Sequence, residues 1–260
     1  MTSAPSPTVR IVWLLVIGLA AGFLSGLFGV GGGILIVPAL VFLVGFDQRL
    51  SAGTSLAAIV PTSIVGVISY AIHGDVDWIA AICLAVGAIA GAQLGSFLLQ
   101  RLSKTVLQWA FITFLAIVIV TLFLVVPSRE SDIHLSVWTI IGLVVLGFVT
   151  GVLSGLLGIG GGVVVVPMLI VLFGASDLVA KGTSLLMMVP TAISGTFGNA
   201  RRRNVDLKAA AIIGVAACTT TALGAIVAAG IPPFVGNLLF AAFLIVIAVR
   251  MILQAVRSRA

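Results

Sequence analysis

Acidic residues are scarce in this chain: seven of 260, against thirteen lysines and arginines, with charged side chains making up 8% of the whole. So small a polar complement cannot cover the surface of a water-soluble domain of this size. Histidine occurs twice, as His73 and His134, and both fall in expected loops. No apolar segment carries His, Cys, Asp or Glu at catalytic or metal-ligand spacing, so neither an enzyme nor a metal site is expected, and no cofactor is implied. Cysteine also occurs twice, and Cys83 and Cys218 lie within apolar runs at positions that do not correspond in the repeat described below. They read as small core residues rather than a disulfide. The lack of carboxylates deep in any apolar segment argues against a cation as cargo and against the usual intramembrane proton relay.

What the chain does have is hydrophobicity. Its composition is 61% hydrophobic, its mean hydropathy is +1.36, and apolar runs long enough to be transmembrane helices recur from end to end. The net charge of +6 reads as the orientation signal of a polytopic protein rather than as a nucleic-acid surface. The N-terminal run Ile11–Ala21 resembles a signal peptide, but its counterpart Ile140–Thr150 lies mid-chain. The first segment is therefore expected to be structural, preceded by a disordered tail over 1–8.

The strongest pattern is a duplication. Gly22-Phe-Leu-Ser-Gly-Leu-Phe-Gly-Val-Gly-Gly-Gly-Ile-Leu-Ile-Val-Pro38 recurs without a gap, 129 residues on, as Gly151-Val-Leu-Ser-Gly-Leu-Leu-Gly-Ile-Gly-Gly-Gly-Val-Val-Val-Val-Pro167. Gly53-Thr-Ser-Leu56 matches Gly182-Thr-Ser-Leu185, Pro61-Thr62 matches Pro190-Thr191, and Val76-Asp77 matches Val205-Asp206. Roughly two-fifths of positions from Gly22 to Gly95 coincide, too many for shared apolar composition alone. The first repeat is placed at 9–126, with apolar segments near 11–29, 33–45, 53–72, 77–100 and 105–126. A polar linker over 127–135 precedes the second repeat at 136–256, with segments near 136–157, 162–174, 182–200, 207–229 and 233–256.

The segments after the triple glycines are too short to span. Ile34 to Gly45 is 12 residues, about 18 Å of helix against a hydrocarbon core of about 30 Å. Two topologies follow: a re-entrant hairpin turning at the glycines, or a kink in one long helix. Hairpins give five segments per half, and an odd number inverts the second half. Arg10, Arg49, Arg101, Lys104, Arg201–Arg203, Lys208, Arg257 and Arg259 then share the cytoplasmic face with both termini, leaving Arg129 and Lys181 outside. The expected fold is an all-α polytopic membrane protein of two five-segment inverted-topology repeats with re-entrant or broken helices; eight helices, four plus four, is the alternative.

A glycine break inside an apolar solvent must be sheltered or line a cavity, and repeated interrupted segments point to a transporter with a midplane site. Gly31, Gly32, Gly33 and Gly160, Gly161, Gly162 are expected to open half helices whose first-turn amides and positive dipole ends suit an anion. Thr54, Ser55, Thr183 and Ser184 are expected to begin the next helix as caps or ligand donors. Pro61 and Pro190 are candidate hinges that free a carbonyl beside Thr62 and Thr191. Lys181, Gln93 and Asn199 break the symmetry and are candidate substrate contacts, with interfacial snorkelling or helix joining as the plainer alternatives. The pairs Gly22/Gly26 and Gly151/Gly155 read as helix packing, and Ser25 and Ser154 as hydroxyls bonded to their own preceding turn.

On the Gly-Leu-Phe-Gly-Val-Gly-Gly-Gly motif with Pro38, its copy ending at Pro167, and both Gly-Thr-Ser-Leu blocks, the chain resembles the sulfite exporter TauE/SafE family of permeases from about Ile11 to Met251. The resemblance implies movement of a sulfur-containing anion such as sulfite, thiosulfate or an organosulfonate across a prokaryotic inner membrane. The expected function is a secondary transporter working by alternating access, with an anion channel as the alternative. Expected partners are the small anion and the lipid bilayer, not nucleic acid, and a homodimer is compatible with the sequence.

Overall fold

The computed structural model describes residues 7–124 and 136–257; most of the expected tail and linker lies outside them. The first half contains α1 (Pro7–Phe28), α2 (Gly33–Ala39, continued by a π turn over Leu40–Val44), α3 (Gln48–Ala71), α4 (Trp78–Arg101) and α5 (Lys104–Leu124). The second contains α6 (Val137–Leu157), α7 (Gly162–Phe173), α8 (Asp177–Arg201), α9 (Leu207–Gly230) and α10 (Pro233–Arg257). The architecture is an all-helical polytopic one. Among the described residues, α1, α3, α4, α6, α8, α9 and α10 are long and apolar enough to cross a membrane, whereas the apolar stretches of α2, α5 (Thr105–Val120) and α7 are shorter.

The short helices double back. Leu14, Ile17 and Ala21 of α1 share one apolar cluster with Ile36, Leu40 and Val44 of the α2 segment. The Arg10 guanidinium, at the start of α1, lies 4.9 Å from the centroid of the Phe46 ring just beyond the π turn. α2 therefore returns to the end of the molecule from which α1 set out, as a re-entrant hairpin does. Arg49 at the start of α3 donates to the Leu102 carbonyl after α4, and Arg10 pairs with Asp206 before α9. These contacts gather Arg10, Arg49, Arg101 and Asp206 at one end. Asp77 and Thr183, joined by a hydrogen bond, mark the other.

Glycines set the helix pairing. Gly18, Gly22 and Gly26 of α1 face Ile213, Ala217 and Thr221 of α9, so these helices run parallel; Gly87, Gly91 and Gly95 of α4 face Val144, Phe148 and Val152 of α6 in the same sense. A methyl group at any of these glycines would fall on the partner's backbone carbonyl, so the close approach depends on the missing side chain. At the centre, Gly66 faces Leu185 and Gly195 faces Leu56, so α3 and α8 run antiparallel. Large apolar side chains on the perimeter, such as Trp138, Ile72 and Val215, are 82%, 76% and 69% exposed, a surface suited to lipid.

α3 and α8 start five residues earlier than hydropathy suggests. Asp47 accepts from the Arg49 and Leu50 amides, and Ser176 from the Val179 amide. Side-chain caps satisfy orphan amides, and the polar first turns they open, with Gln48, Arg49, Asp177 and Lys181, are what a hydropathy reading discards. Thr54, Ser55, Thr183 and Ser184 thus lie in the second helical turn rather than at its start. Both helices also continue through Pro61 and Pro190 without a break.

Candidate functional site

Each interhelical turn is built from left-handed backbone that only glycine adopts without strain. Gly31 and Gly32 have φ of 72° and 73°; Gly160 and Gly161 have 80° and 88°. All the residues of the two triplets are buried. The triplets also meet: a methyl at Gly33 would strike the Gly158 carbonyl and Ile159, and one at Gly162 would strike the Gly29 carbonyl and Val30. Met188 Cε occupies the space that a side chain at either Gly31 or Gly160 would take, with Ile59, its counterpart in the repeat, beside it. The sequence-expected Gly31–Gly33 and Gly160–Gly162 are therefore brought together at one central locus.

The hydroxyls bind the two halves reciprocally. Ser55 Oγ donates to the Gly158 carbonyl at 2.7 Å, and Ser184 Oγ donates to the Gly29 carbonyl at 3.1 Å. Thr54 Oγ1 accepts from the Asp206 amide at 3.0 Å, and Thr183 Oγ1 from the Asp77 amide at 2.9 Å. Each Gly-Thr-Ser block thus holds the glycine turn and a helix cap of the opposite half instead of capping its own helix.

The turn amides are left over. In the first half the N–H groups of Gly29, Leu35 and Ile36 bond to Ser25 and Gly32 carbonyls, whereas those of Val30 through Ile34 make no hydrogen bond; in the second half Gly158, Val164 and Val165 are bonded and Ile159 through Val163 are not. Ser25 and Ser154 do not bond back to their preceding turn either. Both are fully buried, and both hydroxyls are without a partner. Ser25 lies one turn beyond Ala21, whose carbonyl a methyl at Gly32 would meet, and so belongs to the stripe of α1 that faces the returning chain. An unsatisfied buried polar group costs about 1–3 kcal/mol. Two identical sets of them, each with a hydroxyl alongside, form a surface suited to a hydrogen-bond acceptor.

The remaining expected residues sit elsewhere. Thr62 and Thr191 bond to the carbonyls of Ala58 and Met187, one turn back, beside the Ala57 and Leu186 carbonyls that Pro61 and Pro190 leave without an amide. Gln93 is exposed on α4 and donates to Ser194 of α8, joining those helices. Asn199 is fully buried near the end of α8, where its Nδ2 donates to the Gly195 carbonyl. Lys181 is also buried, and its Nζ is 3.1 Å from Asp177 Oδ2. Asp177 and Lys181 are the charged side chains in the interior of the described residues.

Cavities flank the central locus. One of about 190 Å³ opens beside α2 at the arginine-bearing end, and one of about 20 Å³ lies beside α7 and Lys181. A third, of about 260 Å³, is a lateral groove between α3 and α9 lined by Tyr70, His73 and Asp75 on one side and alanines on the other. In the other half the counterparts of His73 and Ala225, Arg202 and Ser96, hydrogen-bond to each other at 3.1 Å. Sequence reasoning did not single out Met188, Ile59, Gln108, Asn237 or Asp177. It set Ser25 and Ser154 aside, although their exact repetition was a signal.

A sequence model of the sulfite exporter TauE/SafE family matches residues 2–122 and 143–260. The chain belongs to that family. A probable membrane transporter protein of Haemophilus influenzae is 31% identical over 94% of this chain and 98% of its own length. The probable membrane transporter protein YunE of Bacillus subtilis is 28% identical over 72% of this chain and 77% of its own. MJ0441 of Methanocaldococcus jannaschii, likewise a probable membrane transporter protein, is 29% identical over 60% of each. No solved structure matches the chain. The chain is thus a membrane transporter of the TauE/SafE family, and the relatives it resembles are named probable membrane transporter proteins.

Proposed function

We propose that this TauE/SafE transporter moves a small sulfur-containing anion, such as sulfite, thiosulfate or an organosulfonate, by alternating access between two inverted halves. The reading rests above all on the paired turns, whose amides from Val30 to Ile34 and from Ile159 to Val163 make no hydrogen bond within the protein. Ten such N–H groups, in two turns that pack against each other, suit an oxyanion, which accepts several hydrogen bonds at once and is favoured at helix N-termini. Ser25 and Ser154, Gly31–Gly33 and Gly160–Gly162 form the binding surface in this reading. Met188 and Ile59 cover it and must move for the anion to enter. Pro61 and Pro190 weaken the ladders of the two central helices where such movement is needed. The face bearing Arg10, Arg49, Arg101 and Arg201–Arg203 is the cytoplasmic face of an inner membrane, by the positive-inside rule.

The test is uptake of ³⁵S-labelled sulfite, thiosulfate and a sulfonate by proteoliposomes. Gly32→Leu and Gly161→Leu are expected to abolish uptake while the protein still inserts in the membrane. Normal transport by Gly32→Leu reduces the turns to packing elements, and no movement of any of the three anions overturns the substrate class.

A further inference from the structure

The cavities beside α2 and α7 share three repeat-related lining positions. Pro38, Val41 and Gln108 line the larger, and Pro167, Ile170 and Asn237 line the smaller; each of these pairs is separated by the 129-residue offset of the repeat. Their volumes nonetheless differ, at about 190 Å³ and about 20 Å³. Two contacts lie at the smaller one. Phe28 stacks on Phe240 of α10 with ring centroids 4.5 Å apart, and Lys181 pairs with Asp177, their side chains only 10% and 4% exposed. Both rings and Lys181 line that cavity. The first-half counterparts of Asp177 and Lys181 are Gln48 and Ala52, so the open cleft has no such ion pair.

We propose that the cleft beside α7 is a gated anion-binding site in which Lys181 exchanges Asp177 for the carried anion when Phe240 leaves Phe28. This rests on the anion-transport reading above. The exchange is physically reasonable because a buried ion pair is near break-even against its desolvation cost, so an incoming oxyanion can compete for the ammonium. A carboxamide waits at each end of the path, Asn237 on the gated side and Gln108 on the open side, each offering N–H donors without a net charge. The charge difference gives the two mouths unequal affinity: one engages the anion through the Lys181 ammonium, whereas the other offers the Gln108 carboxamide beside the Asp47 carboxylate, which repels it.

Cysteine labelling tests the gate without reference to the cargo. In a Cys83→Ser/Cys218→Ser background, and in detergent, where both faces of the protein are open to the reagent, Gln108→Cys is expected to react with a bulky charged thiol reagent, whereas Asn237→Cys is protected. Adding Asp177→Asn or Phe240→Ala is expected to speed Asn237→Cys labelling by about tenfold, as the closed population falls. Equal labelling of the two cysteines with the gate intact, or no response to either substitution, overturns the gate. In proteoliposomes, Lys181→Gln is expected to raise the half-saturating thiosulfate concentration on that side by about tenfold, and Lys181→Arg to restore it. Parent-like transport by Lys181→Gln overturns the lysine's role. If the labelling pattern holds but neither thiosulfate, sulfite nor a sulfonate moves, the gate stands and the anion reading falls, taking the lysine's part with it.

Discussion

Ser55 of the first half donates its hydroxyl proton to the carbonyl of Gly158 in the second, at 2.7 Å and fully buried. Its counterpart, from Ser184 to Gly29, runs the opposite way at 3.1 Å. Removing either hydroxyl leaves a buried carbonyl unsatisfied, at a cost of about 1–3 kcal/mol. Ser55→Ala and Ser184→Ala are each expected to lower the unfolding temperature in detergent.

Met188 and the glycine it covers should behave as a coupled pair. Gly31→Ala is expected to destabilise the protein twice over, through the left-handed φ of 72° and through collision with Met188 Cε. Met188→Ala removes the collision but not the strain. In a double-mutant cycle the alanine at position 31 should therefore cost less in the Met188→Ala background than alone, with a coupling energy of about 0.5–3 kcal/mol.

The capping aspartates separate two effects. Asp206 pairs with Arg10 at 2.6 Å, in a partly exposed bridge, and also accepts from the Ala209 amide as the cap of α9. Asp206→Asn keeps the cap, loses the ion pair, and should cost under about 1 kcal/mol. Asp206→Ala loses both, and a further destabilisation of about 1 kcal/mol is expected in denaturant titrations.

Topology has a direct measurement. His73, after α3, and Lys208, at the start of α9, are both exposed. Single cysteines replacing them, in a background without Cys83 and Cys218, should label from opposite faces of the membrane if each half makes five passes. The eight-pass arrangement puts both on the same face.

Much of this was legible in the sequence, because a duplication reports on symmetry and a short apolar segment reports on length. Those two facts left a hairpin or a kink at Gly31–Gly33 and Gly160–Gly162, and the arginine distribution favoured the hairpin and, with it, the antiparallel course of α3 and α8. The roles of Thr54, Ser55, Thr183 and Ser184 were not legible. Their partners lie more than 100 positions away, and a cap on its own helix was the local explanation. The Phe28–Phe240 stack was hidden for a different reason: its members are not equivalent in the repeat, so symmetry gives no hint of it. Ser25 and Ser154 were misread because a helical serine ordinarily bonds back to its own turn, and here the returning chain faces it instead.

The hydroxyl that completes the first hairpin is encoded 155 positions after the carbonyl it reaches. During synthesis the early hairpin must therefore wait, with that carbonyl unmet, until α8 has been made. A ribosome halted after α5 would leave behind a half that looks like a membrane protein by hydropathy yet presents raw backbone where its sibling belongs.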